Sequence, residues 1–118
     1  FLRRITMPFV NVNTNTDISK EQEIAVKSQF GKAIENLGKT ESWLMVAFNG
    51  NMPLYFKGDD APAAFVDISV FGKSTDEQCR VMTESVCSII EKELGIPAAR
   101  TYVKYSGTSQ WGWNNMNF

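Results

Sequence analysis

Few groups in this sequence can carry a proton near neutral pH. Among 118 residues there are 12 Lys and Arg, 13 Asp and Glu, and no histidine. Ser-His and Cys-His nucleophile pairs, HExxH zinc sites and imidazole general bases are therefore excluded. Any acid–base chemistry falls to some other group. The two thiols, Cys79 and Cys87, stand eight residues apart in a stretch that reads as helix. A rise of ~1.5 Å per residue separates them by about 12 Å, beyond the ~7 Å Cα limit for a disulfide. Free thiols are expected. Lys39 follows Gly38 at the end of a helical segment, where a cation suits either the helix dipole or an anionic ligand. Pro8 precedes a strand-like run and, on residue type alone, reads as an edge-strand proline.

Composition narrows the partners. A formal charge of −1 with scattered basic residues leaves no electrostatic footprint for nucleic acid. No apolar run approaches the ~18 residues of a membrane span, so no membrane insertion is expected. Phe1 to Met7 is too short, and too basic in its middle, for a secretory signal peptide. Residues 1–7 read as an N-terminal extension or tag remnant, and residues 8–118 as one domain.

The elements that must position these residues come in two matched halves. Phe9-Val10 opens one strand-like run and Phe65-Val66 another, 56 residues later. Each run leads through a polar turn into a helical segment closed by glycine (Gly38, Gly95), then into a second strand-like run. Those second runs, Trp43 to Asn49 and Arg100 to Ser106, close on Gly50 and Gly107, so both glycine pairs are offset by 57. Each half is a β-α-β unit. Ser19-x-x-Gln22 and Thr75-x-x-Gln78 have the spacing of capping boxes. Ile24, Phe30, Ala33, Ile34 and Leu37 are expected to form the buried stripe of the first helix. Cys79, Met82, Val86, Ile89, Ile90 and Leu94 form that of the second.

Strand patterning completes the fold class. Val10 and Val12 alternate with Asn11 and Asn13, and Ala64, Val66, Ile68 and Val70 alternate with Phe65, Asp67, Ser69 and Phe71. One face suits the helices, and the other must meet water or another subunit. The class is α/β: two pseudo-symmetric β-α-β repeats, a four-stranded mixed sheet and two helices on one face. Exposed strand edges on so small a domain favour oligomerisation, as a dimer or a trimer. Tyr55-Phe56 reads as a short extra strand, and Trp111 to Phe118 as an aromatic hairpin or arm that packs across an interface.

At this point a resemblance emerges. Met7-Pro8-Phe9-Val10-Asn11-Val12-Asn13-Thr14-Asn15 resembles the start of macrophage migration inhibitory factor proteins of the tautomerase superfamily. Gly38-Lys39, Phe71-Gly72-Lys73, Arg100-Thr101-Tyr102-Val103 and Trp111-Gly112-Trp113-Asn114-Asn115 with Phe118 follow in family order. The resemblance implies a homotrimer whose sheets line a central channel. It also implies a base that needs no histidine, the secondary amine of an amino-terminal proline, whose place Pro8 holds. An α-amino group titrates near ~8 in a model peptide, and burial beside cations lowers it further. Such an amine takes a proton from the carbon next to a ketone and returns it elsewhere, interconverting keto and enol.

The site residues follow from the same resemblance. Pro8 is the catalytic base; Lys39 holds the substrate carboxylate, and the backbone amide near Phe71 meets the same end. Tyr102 of a neighbouring subunit is a wall residue, and Trp111, Trp113 and Phe118 form an aromatic rim. Trp43 stands where a mouth tyrosine is common, Phe9 lines the site, and Lys104 replaces an asparagine and adds a cation at its edge. The implied substrate is a small aromatic α-keto acid, phenylpyruvate-like or dopachrome-like, with no cofactor and no metal. A cell-surface receptor is the further implied partner, and the implied localisation is cytoplasmic and secreted without a signal peptide. The alternative function is a receptor-binding cytokine mimic in which catalysis is incidental or absent. Ala63-Ala64-Phe65-Val66 occupies the place of a family Cys-x-x-Cys, so no thiol–disulfide activity is expected. With Met7 attached the Pro8 nitrogen is an amide without a basic lone pair. The chain bearing residues 1–7 is therefore expected to be inactive.

Overall fold

The computed structural model describes residues 7–117. Strand β1 (Phe9–Thr14) leads to helix α1 (Lys20–Ala33), a 3-10 turn (Ile34–Leu37), a second 3-10 turn (Glu41–Trp43) and β2 (Met45–Asn49). The second half repeats the plan with β3 (Ala64–Phe71), α2 (Asp76–Leu94), a 3-10 turn (Ala98–Arg100) and β4 (Thr101–Thr108). A short hairpin of β5 (Gly112–Trp113) and β6 (Met116–Asn117) closes the chain. The sheet order is β2-β1-β3-β4, with β1∥β2 and β3∥β4 joined by antiparallel β1/β3. This is the predicted pair of β-α-β units related across the middle of one mixed sheet.

Both helices start and stop on the predicted signals. Ser19 and Thr75 accept from the amides of Gln22 and Gln78, whose side chains accept in return from the cap backbones. Gly38 and Gly95 take the left-handed conformation, at φ 73° and 70°, as the chain leaves each helical segment. The stripe on α1 differs from the expected one. Val26, Phe30, Ala33, Ile34 and Leu37 are buried, whereas Ile24 is 49% exposed. At 100° per residue Ile24 lies about 160° round the axis from Val26, so the residue two places on takes its role. On α2, Met82, Val86, Ile89 and Ile90 are buried, and Cys79 and Leu94 are half-buried.

Val10, Val12, Val66 and Ile68 point into the layer between sheet and helices, each at 0% exposure. The opposite face carries Asn11, Asn13, Asn49, Asp67, Ser69, Tyr102 and Lys104, and among the described residues no helix lies over it. Asn49 Nδ2 donates to the Oδ1 atoms of Asn11 and Asn13 (2.9 and 3.1 Å), so amides satisfy one another across β1 and β2. Tyr55-Phe56 makes no strand of the sheet. Phe56 and Asp59 instead close a tight turn through Lys57 and Gly58, both at positive φ. Arg100 pins this turn: Nε donates to Pro62 O (2.9 Å), Nη2 to Ala61 O (3.0 Å), and the guanidinium pairs with Asp59.

Two stability predictions arise here. A Cβ on Gly107 in β4 would land against the carbonyl oxygen of Gly72, part of the backbone that receives the sheet's end. Gly107→Ala is expected to lose about 1–3 kcal/mol, read as a lower denaturant midpoint with unchanged slope. Tyr105 stands on the helix side of β4, where its hydroxyl meets Thr83 Oγ1 (2.8 Å) and Cys79 O (3.0 Å). Burial pushes its phenol up to about 12. The unfolded chain thus ionises first, near ~10, and stability contributed by this group is lost as pH rises from there through about 12. Tyr105→Phe is expected to cost about 1 kcal/mol at pH 7 and to flatten that alkaline decline, as measured by thermal midpoints from pH 8 to 12.

Candidate functional site

One end of the sheet gathers most of the predicted residues. Pro8 is buried immediately before β1, and its carbonyl accepts from the Met45 amide (3.1 Å). Phe9 pairs with Met45 on one side and Ser69 on the other. Because β1 is an internal strand, Pro8 is the lead-in to the sheet's middle and not an edge-strand residue. Phe71, two residues beyond Ser69 at the end of β3, lies alongside the Met7–Pro8 end of β1.

Lys39 reaches this end from the loop after Gly38. It is only 6% exposed, and its Nζ donates to Phe71 O at 3.3 Å. Among the described residues no carboxylate pairs with it. Burial lowers its pKa from the ordinary lysine value, since the cation is partly stripped of water. A buried ammonium with a single carbonyl partner is a point charge in want of an anion. Lys39 thus bonds the Phe71 carbonyl, and the helix-dipole reading of Lys39 gives way to an inward-facing cation.

The aromatic residues split between this end and the hairpin. Trp43 in the second 3-10 turn meets Trp113 of β5 edge to face, with centroids 4.9 Å apart at 88°. The hairpin therefore packs on its own chain at this contact. Asn114 and Asn115, both at positive φ, make the two-residue turn that folds it back. Trp111 is half-buried just before it, and Phe118 lies outside the described residues.

Tyr102 and Lys104 stand elsewhere. Phe9 pairs with Ser69 but Tyr102 pairs with Phe65, four residues further along β3, about 13 Å at ~3.3 Å per residue. Tyr102 is 62% exposed and packs edge to face on Phe56, at 5.2 Å and 88°. Lys104 Nζ lies 3.8 Å from Asp67 Oδ1 on the uncovered face, so its charge is shared with a carboxylate within the chain. One copy of the chain does not bring Tyr102 to Pro8. Sequence reading missed the support beneath Tyr102: the Phe56 ring has the Arg100 guanidinium 5.2 Å from its centroid. Only the contact between distant segments reveals that pairing.

Among the described residues no three His, Cys, Asp or Glu side chains are grouped to hold a metal ion. Cys79 and Cys87 are free, and burial with nearby Asp76 and Glu91, respectively, pushes both thiols up, away from the reactive thiolate. No helix among the described residues is long and apolar enough to cross a membrane.

Comparison with known proteins places this architecture. The profile of the macrophage migration inhibitory factor family matches residues 7–118. A macrophage migration inhibitory factor homolog from Trichuris trichiura is 30% identical over 114 residues, spanning 95% of this chain and 100% of that protein. The crystal structure of Leishmania major MIF2 superposes with a TM-score of 0.91 at 35% identity, covering 95% of this chain and 97% of the other. A macrophage migration inhibitory factor homologue from Prochlorococcus marinus gives 0.86 at 28% identity, covering 93% and 98%. With the paired β-α-β units and a family profile over nearly its whole length, this chain belongs to the macrophage migration inhibitory factor family of the tautomerase superfamily.

Proposed function

We propose that this chain, once it begins at Pro8, is a keto–enol tautomerase of small aryl α-keto acids of the phenylpyruvate type. Family membership supports an isomerase of the tautomerase kind. The observation that carries the finer reading is Lys39, a buried cation held against the Phe71 carbonyl beside Pro8 and paired with no carboxylate among the described residues. The substrate carboxylate binds Lys39, and its ring enters between the Trp43–Trp113 pair and Phe9. Pro8 nitrogen takes a proton from the carbon next to the ketone and returns it to the carbonyl oxygen, giving the enol with no net change in atoms. The reverse path restores the ketone. Burial and a neighbouring cation favour the neutral form of an α-amino group, which supports a free Pro8 amine as the base.

The same proposal includes assembly. Tyr102 lies about 13 Å along the strands from Phe9, so it completes the site of a second copy instead of its own. Among the described residues the polar sheet face and the edges of β2 and β4 support oligomerisation, and the family resemblance supports a homotrimer. The decisive experiment follows ketonisation of enol-phenylpyruvate by the chain beginning at Pro8, with mass from light scattering on the same sample. Turnover by a trimer supports the proposal, and a trimer without turnover removes the enzyme reading. The receptor-binding alternative draws on exposed Tyr55 and Met116, 69% and 45% exposed, as contact residues. A trimer that lacks turnover yet binds a receptor ectodomain would favour it.

A further inference from the structure

We infer that Asn49 is a modification site: its side chain closes on the Gly50 backbone and loses ammonia, at a rate that Asn11 and Asn13 hold down. The pair Asn49-Gly50 stands where β2 ends. Glycine has no side chain, so its amide nitrogen is the least hindered nucleophile a following residue can offer. That nitrogen bonds to Asn49 Cγ, the Cγ–Nδ2 bond breaks, and ammonia leaves with the proton of the Gly50 amide. Water then opens the cyclic imide at either of its carbonyls. One opening gives aspartate and the other isoaspartate, in which the main chain runs through the former side chain. Nothing is oxidised or reduced. Packing also keeps the glycine in place, since a Cβ on Gly50 would stand 3.0 Å from the Thr16 carbonyl oxygen and 3.3 Å from Ile18 Cγ1. The reactive pair is therefore built into the fold.

Closing the ring requires the Asn49 backbone to leave its extended form and the side chain to swing towards Gly50. Both are restrained. Asn49 pairs with Asn13 on the last rung of the β1/β2 ladder, and beyond it the Asn51 and Met52 amides donate to Thr16 O (2.9 Å) and Thr14 O (3.2 Å). Nδ2, the nitrogen to be lost, donates to the Oδ1 atoms of Asn11 and Asn13 at 2.9 and 3.1 Å. The rung is terminal and Asn49 is exposed, so local fraying opens it while the rest of the sheet stays paired. The two amide ties govern how often that happens. The reaction also removes them for good, because a carboxylate only accepts hydrogen bonds. Asn13 cannot turn its amide to meet the new anion without giving up its own bond to Phe65 O (3.2 Å). Modification thus acts as a one-way switch that loosens β2 from β1 at this end.

The test keeps the full chain folded in one sample and unfolded in guanidinium in the other, in the same mildly alkaline buffer. Peptide mass and labelling by isoaspartyl methyltransferase read Asn49 in each. Isoaspartate is expected at Asn49 in the unfolded sample and at least about tenfold more slowly in the folded one. Asn11→Ala removes one tie and is expected to speed the folded reaction about three- to fivefold, with the unfolded rate unchanged. Asn36→Ala, which loses a bond to Ser85 between the helices, is expected to change neither rate. No label in the unfolded chain, equal folded and unfolded rates, or an Asn11→Ala chain that reacts no faster than wild type each overturn the inference. Asn49→Asp, made directly, is expected to lower the denaturant midpoint, and an unchanged midpoint overturns the switch.

Discussion

The chain beginning at Pro8 is expected to ketonise enol-phenylpyruvate with a kcat/KM about 10³-fold above that of the chain carrying Met7, the range a positioned general base contributes. The argument is one of bonding. In a secondary amine the nitrogen lone pair is free to take a proton, whereas in the Met7–Pro8 tertiary amide it is delocalised into the carbonyl. Blocking therefore removes the base outright and leaves the rest of the site standing. Pro8 is buried at the head of an internal strand, so its position does not depend on the residues that precede it. Both forms are expected to show the same sheet and the same unfolding slope. Stopped-flow absorbance on the two chains at one enzyme concentration checks this, and comparable rates would remove Pro8 from the mechanism.

The second large effect concerns Lys39, where binding and stability are expected to move in opposite directions. Lys39→Met keeps the side-chain length and removes the charge. Losing a charge-assisted contact to a substrate carboxylate is expected to raise KM about 10- to 100-fold while kcat changes little. The same substitution is expected to raise the thermal midpoint at neutral pH. Burial lowers the Lys39 pKa, so the unfolded chain binds that proton more tightly than the folded one. Below the lowered folded value the native state bears the cost of an under-solvated cation. The wild type recovers this stability as pH rises from the folded value towards the ordinary ~10.4 of lysine. The gap in midpoint between Lys39→Met and wild type should therefore be widest at neutral pH and close on the alkaline side. A gap of the opposite sign would mean that Lys39 is a stabilising cation and not a binding group held in reserve. Lys39→Ala would blur the result by adding a cavity.

The two effects combine because both groups sit at one end of the sheet. Pro8 arrives there as the lead-in to β1, and Phe71 as the last residue of the antiparallel β3. Lys39 comes from a loop whose direction is set by the left-handed Gly38. Tyr102 is excluded by the parallel run of β4 beside β3, which holds it opposite Phe65. The separation of Tyr102 from Pro8 within one copy is thus a consequence of strand direction.

Much of this was written locally. The repeat, the capping boxes and the closing glycines rely on contacts within a few residues, and such contacts survive translation from sequence into structure. Alternation along β1 and β3 determined which face meets the helices, because side chains in a strand change sides at every residue. The absence of histidine excluded an imidazole base outright. Where the reading failed, distance along the chain was the cause. Ile24 is apolar but stands on the wrong side of α1, a phase that only packing against α2 and the sheet selects. Tyr55-Phe56 has strand composition, yet Arg100, over forty residues away, gathers the carbonyls of that segment into a turn. Composition and spacing by themselves determined the two β-α-β units and excluded a histidine base; the resemblance to a family supplied the amine as an expectation. Tertiary structure alone decided that β1 lies between β2 and β3, that Lys39 is buried with no carboxylate partner among the described residues, and that Tyr102 is remote from Pro8. Those outcomes depend on pairing and burial between distant segments, whose free energies no local pattern encodes.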